Sequence, residues 1–172
     1  MRNIILIGMS GSGKTTVGKS LSMKLGMEFL DTDIFIEKKE KLKIEDIFSL
    51  YGEEYFRRLE SNTIDELYER ENIIISTGGG MVLNNNIIKL RENGIIILLE
   101  SSIDNIINNI KKSTTVRPLL NSQEDIYERV NNLYENRKEI YKSLADFTIC
   151  VDNKSIDLII YEISERCVKI NS

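Results

Sequence analysis

The sequence is poor in the residues that build metal centres and covalent cross-links. Its 172 residues include no histidine and only two cysteines, Cys150 and Cys167, which are too far apart in sequence to form a metal-ligand spacing. A structural zinc site is not expected, because such sites draw their ligands from clustered cysteine and histidine. We interpret the two cysteines as thiols in a reducing cytosol.

Two further absences concern membranes and nucleic acids. No apolar run approaches the length of a transmembrane helix, and the apolar residues at 4–7 are too few for a signal peptide. The formal net charge is −4, which gives no general attraction to nucleic acid or to an anionic membrane. The length and composition predict a single domain over residues 1–172. We expect the protein to be cytoplasmic and a monomer.

The most informative segment that is present is Gly8-Met-Ser-Gly-Ser-Gly-Lys-Thr-Thr16. Residues 8–15 fit the phosphate-binding pattern G-x-x-x-x-G-K-[ST], and they follow an apolar run and precede a helical pattern. Glycines allow successive backbone N–H groups to approach phosphate oxygens, and the start of a helix adds partial positive charge. A glycine-rich turn that binds nothing is the alternative. The predicted ATP-binding residues are Gly11, Ser12, Gly13, Lys14, Thr15 and Thr16. Within them, Lys14 reaches the β- and γ-phosphates and the Thr15 hydroxyl ligates Mg²⁺.

Apolar runs alternate with helical patterns along the whole chain. Several runs are continuously apolar, which is typical of parallel strands covered on both faces. The predicted class is therefore α/β, a doubly wound parallel five-stranded sheet flanked by helices. The predicted strands are Asn3–Ile7, Glu28–Leu30, Ile73–Ser76, Ile95–Leu99 and Phe147–Val151. Helices are predicted to begin near Lys14, Ile34, Glu53, Asn85, Ile103, Glu124 and Ser155. Ligands of such folds bind at the carboxyl ends of the strands.

Two carboxylates, Asp31 and Asp33, follow the second predicted strand. If the backbone is extended there, the two side chains share one side and face the phosphate loop. Asp31 is then a candidate for binding Mg²⁺ through its water shell, and Asp33 for accepting a proton from, or orienting, an attacking hydroxyl. The alternative is that Asp33 or Thr32 caps the helix predicted from Ile34.

Three further segments admit two interpretations each. Arg57 either binds a ligand or forms a solvated pair with Glu60 on a helix face. Residues 78–80 are three glycines after a strand, which indicate a close approach to the backbone or a plain turn. Arg117 precedes the only proline, in a polar insert over residues 111–124 that is either a closing lid or a structural loop. Arg137, on the next predicted helix, has the same ambiguity as Arg117.

Taken together, the order and spacing of these segments resemble the shikimate kinase family. The resemblance covers nearly the whole chain, with residues 31–70 as a substrate-binding insert and residues 111–124 as a lid. The segments that carry it are Gly8–Thr16, Asp31–Asp33, Phe56–Glu60, Ser76–Gly80, Val116–Leu120 and Arg137–Tyr141 ahead of Ala145-Asp146.

The resemblance implies phosphorylation of the 3-hydroxyl of shikimate by ATP with Mg²⁺, on the chorismate route to aromatic compounds. It implies that Asp33, Arg57, Gly79 and Arg137 bind shikimate and that Arg117 closes on ATP. Lys14, Asp33 and Arg117 are the catalytic candidates, and Thr15 and Asp31 the metal candidates. A planar arginine fork suits the carboxylate of such a substrate.

The sequence departs from the family pattern at two places. Glu139 stands where members often have a proline, and residues 110–112 stand where members often have an arginine stacked on adenine, so the adenine contacts are not predicted. Three other functions are alternatives for a chain with a phosphate loop: a gluconate-kinase-like enzyme, a GTPase switch and a nucleotide-binding regulator without turnover. The guanine-reading Asn-Lys-x-Asp pattern is absent, because residues 153–156 misplace the aspartate by one position.

Overall fold

The computed structural model describes residues 2–112 and 125–171, and its centre is a five-stranded parallel sheet. The strands are β1 Asn3–Ile7, β2 Glu28–Asp31, β3 Ile73–Ser76, β4 Gly94–Glu100 and β5 Phe147–Cys150. Their order across the sheet is β2-β3-β1-β4-β5, and every neighbouring pair is parallel. The predicted fold class is confirmed, and each predicted strand end lies within one residue of the observed end.

Helices cover both faces of the sheet. They are α1 Lys14–Leu25, α2 Thr32–Glu40, α3 Ile44–Tyr68, α4 Leu90–Asn93, α5 Ile103–Lys112, α6 Ile126–Leu144 and α7 Ile156–Asn171, with 3₁₀ turns at Met81–Leu83 and Asn85–Lys89. Alternate residues of β1 enter two separate cores, because successive side chains of a strand point to opposite faces. Ile5 and Ile7 pack with α3, α5 and α6, whereas Ile4 and Leu6 pack with α1 and α7.

A third, smaller core lies outside the sheet. Ile36 of α2 packs with Ile47 and Phe56 of α3, and all three side chains are buried. This contact fixes the two helices that follow β2. Helix α3 is broken at Gly52, which has φ of 79° and ψ of 177°. The second half of α3 therefore begins at the predicted position, near Glu53, and the first half, from Ile44, had no predicted start of its own.

Two predicted helix starts are wrong in detail. Helix α2 begins at Thr32 rather than near Ile34, because the capping side chain is that of Asp31 and not that of Thr32 or Asp33. The segment from Asn85 begins as a 3₁₀ turn and becomes α-helical only over α4. Asn84 precedes this turn, and its side-chain oxygen accepts a hydrogen bond from the N–H of Asn86.

The chain after β4 enters α5, which extends to Lys112. The first two residues of the predicted lid are therefore helical, and the rest of it, including Arg117 and Pro118, lies outside the described residues. In the two described ranges, no helix is both long and apolar enough to cross a membrane.

Candidate functional site

The phosphate loop connects β1 to α1 and has the backbone that its glycines predict. Gly11 and Gly13 have φ of 89° and 90°, a region that side chains with a Cβ rarely adopt. Gly13 caps α1 without a side-chain hydrogen bond, and the first turn of α1 has no acidic residue. The partial positive charge at the start of this helix is therefore not neutralised by the helix itself and is available to an anion.

Lys14 lies across the loop. Its ammonium group donates to the carbonyl oxygens of Gly8 at 2.8 Å and Met9 at 2.7 Å, and the residue is 6% exposed. The Ser12 hydroxyl is also buried, and within the described ranges it has no hydrogen-bond partner. A buried hydroxyl without a partner is costly, and this one belongs to the loop that the sequence assigns to phosphate.

Thr15 and Asp31 are in direct contact. The Thr15 hydroxyl donates to Oδ2 of Asp31 at 2.7 Å, and both residues are partly exposed. Oδ1 of the same carboxylate accepts from the backbone N–H groups of Asp33 at 3.1 Å and Ile34 at 3.4 Å. The expectation that Asp33 or Thr32 is the cap was wrong, because the capping side chain is that of Asp31.

The pair also fits a hard divalent cation. A hydroxyl and a carboxylate are oxygen ligands of the type that Mg²⁺ prefers, and Mg²⁺ sites in kinases use one or two protein ligands with phosphates and water. In the described part of the chain, no cluster of three or more metal-ligating acidic or cysteine side chains is present.

Asp33 is not placed by an extended strand, as the sequence suggested, but by the first turn of α2. This turn is attached to the triple glycine, because the hydroxyl of Thr32 accepts a hydrogen bond of 2.9 Å from the N–H of Gly78. Thr32 is completely buried, so this bond is protected from water. Asp33 consequently lies beside Gly78 at the carboxyl edge of the sheet.

Each of the three glycines lies against a different residue of the site. A Cβ on Gly78 would overlap Oδ1 of Asp33. A Cβ on Gly79 would lie 2.7 Å from Oγ of Ser10, and one on Gly80 would lie 2.7 Å from Nη1 of Arg57. None of these glycines has a positive φ, so they are needed here for space and not for backbone conformation.

Arg57 is bound by two glutamates on its own helix. Its Nη1 donates to Glu60 at 2.6 Å and its Nη2 to Glu53 at 2.8 Å, and its side chain is 22% exposed. Burial lowers the pKa of Arg57, but the two carboxylates more than offset this and leave its pKa raised. The solvated pair expected as the alternative is therefore wrong in one respect, because Glu60 is 1% exposed.

Arg137 reaches the same region from α6. It is 7% exposed, and its Nη1 donates to the carbonyl oxygen of Gly79 at 3.3 Å. Burial raises the pKa of the Glu60 carboxyl, and the positive charges of Arg57 and then Arg137 oppose this increase. Two guanidinium groups thus lie near one buried carboxylate beside the triple glycine.

Several residues at this edge were missed or undervalued from sequence. The Tyr141 hydroxyl donates to the Gly79 carbonyl at 2.6 Å. The side-chain amide of Asn109 in α5 donates to the carbonyl oxygen of Gly11 at 2.8 Å. A Cβ on Gly11 would lie 2.9 Å from the carbonyl oxygen of Ile106, so α5 packs directly on the phosphate loop. No local pattern predicts these contacts, since they join segments far apart in sequence.

The predicted residues therefore converge with one exception. The phosphate loop, both aspartates, the triple glycine and the two arginines of α3 and α6 lie at one edge of the sheet, whereas Arg117 lies outside the described residues. A loop whose backbone suits an anion lies beside a second group of acidic, basic and backbone groups that suit a small polar molecule. This arrangement can bring a phosphate donor and an acceptor together.

Comparison with known proteins agrees with this arrangement. A sequence profile described as shikimate kinase matches residues 10–168. The shikimate kinase of Caldanaerobacter subterraneus subsp. tengcongensis is 43% identical over 171 residues, which cover 99% of this chain and 98% of that protein. That of Sulfurihydrogenibium sp. is 42% identical over 164 residues, or 95% of this chain and 96% of the relative.

Solved structures agree with the sequence relatives. The shikimate kinase from Acinetobacter baumannii in complex with shikimate superposes with a TM-score of 0.92 at 30% identity, covering 98% of this chain and 94% of that one. A deoxyadenosine kinase from M. mycoides, with a TM-score of 0.65 at 20% identity, shares the fold alone. The chain therefore belongs to the shikimate kinase family of ATP-dependent kinases.

Proposed function

We propose that the chain transfers the γ-phosphoryl group of ATP to the 3-hydroxyl of shikimate, giving shikimate 3-phosphate and ADP on the route to chorismate and the aromatic amino acids. The observation that carries the proposal is the contact of the triple glycine with Asp33, Ser10 and Arg57. Asp33, proposed to bind a hydroxyl, and Arg57, proposed to bind a carboxylate, therefore lie along one glycine segment that also contacts Ser10 of the phosphate loop.

In this proposal, the phosphate loop binds ATP. Gly11, Ser12, Gly13 and residues 14–16 surround the phosphates, and Lys14 exchanges its contacts with the Gly8 and Met9 carbonyls for phosphate oxygens. Because phosphoryl transfer has a loose transition state with charge spread over the oxygens, positive charge and positioning supply most of the catalysis. Lys14 provides that charge, and Arg117 adds to it as the resemblance implies.

Thr15 and Asp31 would bind Mg²⁺, the Thr15 hydroxyl directly and the Asp31 carboxylate through water. The ion neutralises charge on the β- and γ-phosphates when it is bound. The 2.7 Å hydrogen bond between Thr15 and Asp31 supports this assignment, because it orients both oxygens toward one another beside the loop.

Shikimate would bind between α2, α3 and α6. Its carboxylate pairs with Arg57 and Arg137, whose planar donors suit a carboxylate better than an ammonium group does. Its hydroxyls bind Asp33 and the backbone of Gly79. Asp33 orients the attacking 3-hydroxyl toward the γ-phosphate and accepts its proton.

The proposal also covers the organisation of the chain. Residues 1–172 act as one domain, with residues 31–70 binding the acceptor and residues 111–124 covering the nucleotide. The described residues that are given a role lie together at one edge of the sheet of a single chain, so we expect a monomer. The net charge of −4 gives no general attraction to nucleic acid or to an anionic membrane. The reaction takes place in the cytoplasm, where its donor ATP is available.

An ADP-release assay tests the proposal directly. Wild-type protein is supplied with Mg²⁺-ATP and with shikimate, gluconate or no acceptor, and Lys14→Met serves as the matched inactive control. Release that depends on shikimate and falls by orders of magnitude in the variant is expected. Equal release with all three mixtures, or release only with gluconate, would overturn the proposal.

A further inference from the structure

Tyr141 is a buried hydroxyl that has no part in the reaction described above. It lies in α6 and is 1% exposed, which makes it one of the largest fully buried side chains. Its ring packs in the core below the sheet edge, but its oxygen ends at the triple glycine. It donates to the Gly79 carbonyl at 2.6 Å and also lies 3.7 Å from Sδ of Met9 in the phosphate loop.

The Gly79 peptide is restrained from two sides. On one side its carbonyl oxygen accepts from the Tyr141 hydroxyl and from Nη1 of Arg137. On the other side the glycine Cα lies so close to Ser10 that an added Cβ would be 2.7 Å from Oγ and 2.9 Å from the backbone nitrogen. The peptide plane therefore has little freedom to rotate.

This restraint also fixes the direction of a backbone donor, the N–H of Gly80. The peptide bonds of the described chain contain no cis bond, and in a planar trans peptide the N–H points opposite to the carbonyl. With the Gly79 carbonyl directed into α6, the N–H of Gly80 is directed away from α6. Gly80 is the glycine that lies against the guanidinium of Arg57.

We propose that Tyr141 is a positioning residue for the acceptor pocket: its hydroxyl fixes the Gly79 peptide and the Arg137 guanidinium in one arrangement. The inference rests on the proposed function for the identity of the acceptor. Burial raises the pKa of Tyr141 to about 12, so the hydroxyl keeps its proton and remains a donor at neutral pH. Tyr141 binds no substrate itself and acts through Gly79 and Arg137.

The alternative is that Tyr141 only fills space in the core. Tyr141→Phe distinguishes the two roles, because it keeps the ring and removes the one oxygen that reaches Gly79. Tyr134→Phe is a matched control on the same helix, where the hydroxyl contacts Glu100 at 3.3 Å and not the triple glycine. Urea unfolding of both variants measures what each loses in stability.

Steady-state kinetics give the first test. Loss of one neutral hydrogen bond at the pocket corresponds to a change of about 5- to 10-fold. Tyr141→Phe should raise the KM for shikimate by about that factor, with the KM for ATP within about 2-fold of wild type. Tyr134→Phe should change neither constant. An unchanged KM for shikimate, or an equal rise in both KM values, would overturn the positioning role.

A second test needs no turnover and therefore separates this inference from the proposed function. Hydrogen exchange of residues 77–83 is measured in the ligand-free proteins. Tyr141→Phe should exchange faster than wild type in this segment, and Tyr134→Phe should not. Equal exchange in all three proteins would contradict the positioning role even if wild type phosphorylates shikimate. Failure of the proposed function would appear instead as absence of shikimate-dependent ADP release by the wild type.

Discussion

The Thr15 hydroxyl donates a 2.7 Å hydrogen bond to Oδ2 of Asp31, while Oδ1 of the same carboxylate caps helix α2. The Asp31 side chain therefore contacts the start of α1, which follows the phosphate loop, and the start of α2, which positions Asp33. A change at Asp31 is expected to affect both, and its two functions can be separated by the choice of substitution.

Asp31→Asn should preserve the cap and weaken the metal site. Asparagine caps helices about as well as aspartate, whereas Ala costs about 1 kcal/mol. Asp31→Asn should therefore unfold within about 0.5 kcal/mol of wild type, and Asp31→Ala should lose about 1 kcal/mol in urea titrations. Both should need several-fold more Mg²⁺ for half-maximal ADP release. If Asp31→Asn had the Mg²⁺ dependence of wild type, Asp31 would be a cap only.

Two substitutions in the triple glycine should separate effects on shikimate binding from effects on the phosphate loop. An alanine at Gly80 meets the end of the flexible Arg57 side chain, whereas one at Gly79 meets the backbone nitrogen of Ser10. Gly80→Ala should displace Arg57 and raise the KM for shikimate alone. Gly79→Ala should shift the phosphate loop and raise the KM values for both substrates. Identical kinetic effects of the two variants would mean that the glycines serve a common turn.

Much of the fold was predictable because its signals are local. The continuously apolar segments of β1, β3 and β4 are buried on both faces, as parallel strands must be. The phosphate loop was predictable for the same reason, since its glycines, lysine and threonine are adjacent in sequence. Strand and loop assignments needed no knowledge of the packing between distant segments.

The remaining features depend on contacts between distant segments. Glu60 lies on a charged helix face that sequence alone assigns to solvent, yet it is buried because α3 and α6 bring Arg57 and Arg137 around it. The start of α2 was misplaced because Asp33 and Thr32, the caps expected from sequence, are of the same capping types as Asp31, the residue that caps the helix. Only the tertiary position of Asp31 beside Thr15 distinguishes it.

Asn109 is expected to influence nucleotide binding. Its amide donates to the Gly11 carbonyl at 2.8 Å, and the N–H of the next residue in the loop, Ser12, bonds to Met9 at 3.1 Å. Asn109→Asp keeps the shape but cannot donate and repels the carbonyl. The KM for ATP should rise by about 10-fold, and the KM for shikimate should stay within about 2-fold of wild type.

The neighbouring Asn108 provides the control for this change. It is exposed on the same helix, so Asn108→Asp introduces the same charge without touching the loop. Steady-state kinetics of both variants are compared at one ionic strength. A similar rise in the KM for ATP in both would indicate a general charge effect and would remove the role assigned to Asn109.

The buried Glu60 carboxyl makes the stability of an Arg57 variant dependent on pH. Burial raises the pKa of Glu60, and Arg57 is the strongest opposing charge, so Arg57→Ala should raise this pKa further. A carboxyl group whose pKa is higher in the folded than in the unfolded state stabilises the folded protein at pH values below the unfolded-state pKa. This contribution is lost as pH rises through the folded-state pKa.

The free energy of unfolding of Arg57→Ala should therefore lie only slightly below that of wild type near pH 4.5, the ordinary pKa of glutamate. This deficit should grow as pH rises. It should approach about 3 kcal/mol once Glu60 is ionised with only Arg137 left to oppose its charge. Urea unfolding between about pH 5 and pH 8 measures it. Adding Glu60→Gln should remove the pH dependence. A deficit that is constant with pH would show that Glu60 does not titrate in the variant.

Arg57 should also determine recognition of the substrate carboxylate. Losing one partner of a buried charged pair costs about 2–5 kcal/mol. Arg57→Ala should accordingly lower kcat/KM for shikimate by roughly 30-fold or more, at about 1.4 kcal/mol per decade. Arg57→Lys should recover only part of this loss, because it keeps the charge without the planar fork.

Arg57→Ala/Glu60→Gln removes the repulsion between the substrate carboxylate and the Glu60 carboxylate that loses Arg57. A shikimate analogue without the carboxylate should be a poor substrate for wild type and should lose far less when Arg57 is removed. If both substrates lost equally in the double variant, Arg57 would be a structural residue of α3 and the carboxylate would have to bind elsewhere.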